Sequence, residues 1–331
     1  MKAVWYDRFG PAREVLQYGE LETPRAGPGE ALVRLAASGI NPADVKRRGG
    51  SYGPGGMEYP RIITNSDGAG VVEAAGEGVD AAWVGKRIWL HNGQRGRAFG
   101  TAAEYIALDA RLIAPLPDAL DFAVGACLGI PCMTAHQAVF RDGPVAGHTV
   151  LVTGGAGAVG HYAIQLAKWG GAKVLSTVSS AAKAAEARAA GADVVIDYRT
   201  EDVAARVLAE TGGAGVERVV EVDFGANLAT NLTVLKTNGV IAMYASALVA
   251  EPVLPVRKLM MKALTVHFVQ LGMTPLARRQ DTVKDIGRWL AEAEGGGVHR
   301  VAARFPLAET AAAHEAVERG DKNGTVVVTI G

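Results

Sequence analysis

Apolar and polar positions follow two different rhythms along this chain, and the change falls near residue 150. From Val150 onward a short apolar run, "TVLVTG", precedes "AVGHYAIQLAKWG", whose apolar residues recur at helical spacing up to a glycine stop. The pair of patterns then repeats: strand "KVLSTV", helix "AAKAAEARAAG", strand "DVVIDY", helix "EDVAARVLAETG", strand "ERVVEV", helix "NLATNLTVLKTNG", strand "VIAMYAS". Strands alternating with helices predict parallel pairing through right-handed crossovers. The expected result is a doubly wound α/β sheet that ends near residue 266.

Residues 1–120 read differently. Short runs with β character, "ALVRLAASGI", "GAGVVEAAGEG", "KRIWLHN" and "TAAEYIAL", are separated by Gly, Pro and Asn. They predict a small, mostly antiparallel β domain, with "FAVGACLGIPCMTAHQAVF" as a bridging helix. After the alternating block, "RQDTVKDIGRWLAEAEGG" and "ETAAAHEAVERG" read as helices and "TVVVTI" as a last strand. Periodicity alone does not assign them to either domain.

Composition narrows the picture. A chain of 331 residues suggests two domains. Lys plus Arg and Asp plus Glu number 34 each, so no excess of charge recommends nucleic acid or an anionic membrane as a partner. Two cysteines cannot make a disulfide framework or a four-thiolate zinc site. "MKAVWYDRFG" lacks an apolar targeting core, and no run reaches the roughly eighteen apolar residues of a membrane span. The expectation is a cytoplasmic protein.

Gly154, Gly157 and Gly160 form a G-x-x-G-x-x-G loop between a predicted strand and a predicted helix. Glycines allow close approach to a diphosphate, and the N–H groups of the helix N-terminus, beginning with Ala158 and Val159, favour its charge. An NAD-specific site places an acid about 20 residues beyond such a loop, on the ribose hydroxyls. Here no acid lies between Ala172 and Ala185; Ser179, Ser180 and Lys183 stand there instead. Two hydroxyls and an ammonium suit a 2′-phosphate, which favours NADPH, with Tyr198 and Arg199 within reach of the same adenine end. The alternative makes the serines a helix N-cap and Lys183 a solvated residue.

The order of β domain, glycine loop and returning C-terminal segment resembles the medium-chain dehydrogenase/reductase superfamily. "SGINPADVKRRGGSYG", "SDGAGVVEAAGEGV", "GTAAEYIAL", "LGIPCMTAHQAV" and "LVTGGAGAVG" resemble its quinone oxidoreductase, or zeta-crystallin-like, branch. The resemblance implies a GroES-like catalytic domain from residues 1–126 and 267–331, and a Rossmann cofactor domain from residues 127–266. Zinc alcohol dehydrogenases of the superfamily carry a cysteine ligand after the "SG" turn and a His-Glu pair in the next glycine-rich strand. Those places hold Asn41 and Asp67 here, and Cys127 and Cys132 have no partner at ligand spacing. Catalytic zinc is therefore not expected.

Without a Lewis acid to make an alkoxide, the expected acceptors are already electron-poor: quinones and activated alkenes such as enones. The branch lines its acceptor pocket with an Asn and an Asp after the "SG" turn and a downstream Tyr, matched by Asn41, Asp44 and Tyr52. Tyr52 would donate to charge developing on the acceptor and Asn41 would orient it. Equally, Asn41 opens an ordinary turn and Asp44 caps the helix that follows. Thr134 resembles the hydroxyl that the branch sets beside the nicotinamide, with a backbone-bonded helical Thr as the alternative. Tyr244, Ser246, Phe268 and Asn323 fall where the family's loops flank the cofactor.

Two departures stand out. Asn65 replaces a more usual glycine and is expected to narrow the pocket floor; Arg95 and Arg97 sit in a long loop and would suit a carboxylate-bearing substrate. Alternatives are a 2-enoate or enoyl-thioester reductase on the same fold, or a dinucleotide sensor or nucleic-acid binder. A homodimer is expected by resemblance, through edge-strand pairing around "GVIAMYAS".

Overall fold

The structure, a computed structural model, describes residues 1–51 and 55–331. The chain forms two compact units, Met1–Pro131 with Leu290–Gly331, and Cys132–Trp289. The expected domain break at 266/267 falls inside strand Thr265–Phe268, the sixth strand of the second unit's sheet. Helix Leu276–Glu292 also belongs mostly to that unit.

The second unit is built on a parallel six-stranded sheet. Numbered from the glycine-loop strand, the spatial order is 3-2-1-4-5-6: Val194–Asp197, Lys173–Val178, Thr149–Val152, Val216–Glu221, Leu235–Met243, Thr265–Phe268. The order reverses between Thr149–Val152 and Val216–Glu221, and ligands of such sheets bind beyond the carboxyl ends of the strands at that reversal. The strand centres are apolar on both faces, with Leu151, Leu175 and Val219 on one and Val150, Val152, Val174 and Val220 on the other, all at 0% exposure, because helices cover both sides.

In the first unit, a seven-stranded sheet is mostly antiparallel, as expected, and centres on Glu30–Ile40, which pairs with Asp67–Ala75, Tyr105–Asp109 and Thr325–Thr329. Val301–Pro306 adds a parallel edge that the sequence pattern did not reveal. A smaller sheet joins Gln17–Glu20, Lys2–Tyr6 and Ile62–Ile63. The core gathers alternate residues such as Val33, Leu35, Val72, Ile88, Ile106 and Val328.

Three local expectations are corrected. "FAVGACLGIPCMTAHQAVF" is not one helix: Phe122–Gly125 stops, Leu128–Cys132 is a π-type turn, and Met133–Phe140 resumes. Gly129 departs from helical geometry at ψ −113°, and Pro131 supplies no N–H for a regular ladder. The helix expected through Gly239 ends at Val234, because Leu235 is recruited into strand pairing opposite Val216. Lys262 Nζ donates to the freed carbonyls of Leu232 and Leu235 at 2.6 and 2.7 Å. Finally, the strand within "GVIAMYAS" is internal, bonded on both sides; the edge on its side of the sheet is Thr265–Phe268.

Candidate active site

In the second unit, the glycine loop joins the end of Thr149–Val152 to helix Ala158–Trp169. Gly154 takes φ +68°, the left-handed region that glycine occupies without strain. A Cβ at Gly160 would stand 2.3 Å from the Gly154 carbonyl oxygen, so only glycine allows the helix to start this close to the loop. Gly157 is the N-cap and offers no side-chain acceptor. The helix's first N–H groups, including those of Ala158, Val159 and Gly160, are therefore left for an anion. The loop is moored from the second strand, with Gly154 N–H donating to Thr177 Oγ1 at 3.1 Å.

At the order reversal lies a buried carboxylate that sequence reasoning missed. Glu221 ends its strand at 0% exposure. Oε1 accepts from Thr153 Oγ1 (3.0 Å), Asp223 N–H (2.6 Å) and Asn227 Nδ2 (2.9 Å), and Oε2 from Asn231 Nδ2 (2.8 Å). Thr153 leads into the glycine loop, so one carboxylate joins the loop, its own strand end and the next helix. An acid closing the apolar run "ERVVEV", followed by asparagines four residues apart, was the available signal. Desolvation and the Glu221 charge both push the Tyr244 phenol pKa up.

At the end of the second strand, Lys183 Nζ donates to Ser179 Oγ at 3.1 Å. Ser180 is the N-cap of Ala181–Ala189, its Oγ accepting from Lys183 N–H at 3.3 Å. The cap and the Ser179–Lys183 pair therefore coexist. Tyr198 is exposed beyond the third strand, and Phe268 is exposed on the edge strand. Ser246 spends its hydroxyl locally, accepting from Gly225 N–H (3.0 Å) and donating to the Val249 carbonyl (2.5 Å). Thr134 is buried in the first turn of Met133–Phe140.

In the first unit, the register sets Gly39 opposite Asp67, which brings Asn41, two residues on, beside the Asp67 side chain. Asn41 Nδ2 donates to Asp67 Oδ2 at 2.7 Å. Asn41 is also the N-cap of Pro42–Arg48, and its N–H donates to Asp44 Oδ2 at 2.8 Å while Ser66 Oγ donates to Oδ1 at 2.6 Å. Asp44 thus does cap its helix, and it does so fully buried. Burial raises the pKa of Asp44, against the pull of its hydrogen bonds and Arg47. Tyr52 lies outside the described residues. Asn323 is partly buried just before Thr325–Thr329.

Asn65 corrects an expectation. It adopts φ +70°, and its side chain turns into the unit's interior. His314 Nε2–H donates to Asn65 Oδ1 (2.8 Å), and Asn65 Nδ2 donates to Ser38 Oγ (3.0 Å). Ser38 meets Thr101 Oγ1 at 2.8 Å, and Thr101 donates to the Asp67 carbonyl at 2.8 Å. Burial holds His314 neutral, its pKa pushed down to about 3. Arg97 gives an N–H to the Ala107 carbonyl, while Arg95 is exposed.

The cysteine thiols are buried, Cys127 pushed up to about 12 and Cys132 well above its ordinary value, so neither is a ready thiolate ligand. Among the described residues no cluster of three or more His, Cys, Asp or Glu could hold a metal ion. No helix among them is long and apolar enough to cross a membrane.

Residues 27–118 match the alcohol dehydrogenase GroES-like domain and residues 158–292 the zinc-binding dehydrogenase family. A 2-haloacrylate reductase from Burkholderia sp is 31% identical, over 99% of this chain and 98% of that protein. The chain belongs to the medium-chain dehydrogenase/reductase superfamily, in its zeta-crystallin-like quinone oxidoreductase branch. The solved Escherichia coli quinone oxidoreductase complexed with NADPH superposes with TM-score 0.86 at 27% identity, covering 99% of this chain and 100% of that one. A solved NAD-dependent alcohol dehydrogenase superposes with TM-score 0.89 at 29% identity, covering 100% of both chains.

As a member of that branch, the protein is an oxidoreductase. Its GroES-like unit holds a hydrogen-bonded node of Asn41, Asp44, Ser66 and Asp67. Its Rossmann unit brings together the glycine loop, Thr153 and Glu221 on one side and Ser179 with Lys183 on the other.

Proposed function

We propose that this oxidoreductase is an NADPH-dependent, zinc-independent reductase that delivers hydride to a quinone or an activated alkene such as an enone. The observation that carries the acceptor class is the Asn41–Asp67 hydrogen bond at 2.7 Å. The amide and carboxyl at these two positions are hydrogen-bonded to each other, and the Cys127 thiol is held protonated. An acceptor that needs no Lewis acid fits such a site. Bound NADPH would supply the hydride. Asn41 would orient the acceptor, Tyr52 would donate to the oxygen that gathers charge, and the open helix N-terminus at Gly157 would hold the diphosphate.

For the cofactor, the support is the pairing of Ser179 with Lys183 at the end of a strand that lacks an acid. The NAD-dependent alcohol dehydrogenase superposes as well as the NADPH-bound quinone oxidoreductase does, so these residues, rather than overall likeness, argue for the 2′-phosphate. A homodimer would use the edge strand Thr265–Phe268, flanked by exposed Met260, Met261 and Phe268.

A second reading, a 2-enoate reductase, is favoured by the likeness to the 2-haloacrylate reductase. The test of both is NADPH oxidation against a panel of benzoquinones, enones and 2-enoates, repeated with Tyr52→Phe. Turnover of enones, reduced by the substitution more strongly than turnover of quinones, is the expected result. Turnover restricted to 2-enoates selects the second reading, and no turnover of any acceptor removes both.

A further inference from the structure

Asp67 is completely enclosed, and its two oxygens are treated unequally. Oδ2 accepts from Asn41 Nδ2 and from Ile130 N–H, both at 2.7 Å. Oδ1, equally buried, has no hydrogen-bond partner. The π-type turn Leu128–Cys132 closes over that oxygen, and a Cβ at Gly129 would stand 2.1 Å from it. The main chain of the same residue is held by the relay from His314 through Asn65, Ser38 and Thr101. Side chain and backbone of Asp67 are thus anchored separately, and Asn41 hangs from the side chain.

We propose that Asp67 is the positioning residue of the acceptor site, locking the Asn41 amide to the Leu128–Cys132 turn, and that it works as an uncharged carboxyl group. An ionised carboxylate spreads its charge over both oxygens and needs donors on each. A protonated one places its hydrogen on Oδ1 and leaves Oδ2 as the acceptor that the two donors find. The groups facing it agree. Burial is the largest influence and Asp44, from Pro42–Arg48, the next, and together they push the Asp67 pKa well up. The Asn41 amide, the Ile130 N–H and, from beyond hydrogen-bond geometry, the Asn92 N–H pull the other way without reversing that direction. Cys127, from the segment before the turn, is itself held protonated. The consequence for function rests on the reading that Asn41 meets the acceptor; the protonation state does not.

The test compares Asp67→Asn, Asp67→Ala and Gly129→Ala in the full-length protein. The amide oxygen that Asp67→Asn introduces can accept from both donors, so this variant should restore most of the acceptor kcat/KM that Asp67→Ala loses. That loss is expected to be on the order of 10²-fold, as for a misplaced contact group, with cofactor Kd unchanged. Gly129→Ala pushes the carboxyl off its donors without removing it, and should raise acceptor KM in the same direction.

Stability supplies the independent readout. A carboxyl whose folded pKa is raised binds a proton that the unfolded chain has released, so its contribution to stability is lost as pH rises from the unfolded value towards the folded one. The amide of the Asp67→Asn protein does not titrate. Unfolding titrations should therefore show that variant gaining on wild type as pH rises from 5 to 8, by up to about tenfold in the unfolding equilibrium per pH unit. A constant difference across that range would overturn the uncharged state. Unaltered acceptor kinetics in both Asp67→Ala and Gly129→Ala, while Asn41→Ala is impaired, would overturn the positioning role. Unaltered kinetics in Asn41→Ala would instead remove the reading of Asn41, with the pH profile still deciding the charge.

Discussion

Glu221 and Asp67 both lie fully buried at strand ends, one in each compact unit, and their surroundings are opposites. Glu221 gathers four donors, spread over both oxygens. Asp67 gathers two, both on one oxygen. Four hydrogen bonds on one buried side chain tie the start of the glycine loop, the strand end and the next helix into one network, which stiffens everything it touches. The loop behind a diphosphate benefits from such stiffness, because its geometry must already be right when the anion arrives. At Asp67 the same burial is met by a proton, and the result is a neutral hook for a single amide.

The sharpest way to break this contrast is to remove the Glu221 carboxylate. Each buried donor left without an acceptor costs roughly 1–3 kcal/mol. Glu221→Ala should thus lower the melting temperature more than loss of the Asp67, Lys183 or His314 side chain, and abolish cofactor binding. Glu221→Gln, with Asn231 turning its amide to accept, should recover much of both; calorimetry and cofactor fluorescence titration would show it. If Glu221→Gln were as damaged as Glu221→Ala, the charge itself rather than the hydrogen-bond count would hold the node together.

A second effect tests what the moored loop is for. Lys183→Ala should weaken NADPH binding about 10- to 150-fold, the value of a charge-assisted hydrogen bond, and leave NADH nearly unchanged. Equal losses for the two cofactors would mean that Lys183 supports the helix and not a phosphate.

A third concerns the acceptor-side unit and its relay. His314 is buried neutral, with its pKa lowered to about 3. Between that value and the unfolded value near 6.5, the unfolded chain binds the extra proton, so stability rises with pH across this window and is lost as pH falls through it. The contribution is about 1.4 kcal/mol per pH unit for one such group. His314→Gln should flatten the acid limb of the unfolding curve by that slope, and an unchanged limb would show that His314 is solvated. The smallest effect is expected from chelation. Extensive treatment with a zinc chelator should leave turnover unaltered, and activity lost to the chelator and restored by zinc would contradict a zinc-independent acceptor class.

The parts of this molecule legible in the sequence are those where local pattern and tertiary outcome agree. The alternating block could be read because buried parallel strands are apolar throughout and their helices carry a 3.6-residue stripe. Gly154 and Gly160 were legible because a left-handed turn favours glycine and a 2.3 Å approach to a carbonyl oxygen leaves no room for a Cβ. Helical spacing put Ser179 and Lys183 on one side of the helix start, and the cap weighed against the phosphate reading forms at Ser180 beside the Lys183–Ser179 pair.

Where contacts come from distant segments, local pattern ran out. "FAVGACLGIPCMTAHQAVF" has the periodicity of a helix, yet the turn at Gly129 is held by Asp67, from a strand far earlier in the chain, and Pro131 decides where the break falls. Leu235 has helical neighbours and becomes strand because Val216 pairs with it. Asn65 looked like a substitution on a pocket floor until His314, from the returning C-terminal helix, claimed its side chain.

The sequence by itself determined the doubly wound sheet, the anion-binding loop and the placing of Asn41 after the "SG" turn and Asp67 in the glycine-rich strand. Each of these rests on covalent neighbours, on period or on the sterics of glycine. Only the tertiary structure decided which buried carboxyl is saturated with donors and which is not. That outcome depends on how many N–H and O–H groups from remote strands and helices converge on a given oxygen, and in the low-dielectric interior each missing donor shifts the balance between ion and acid.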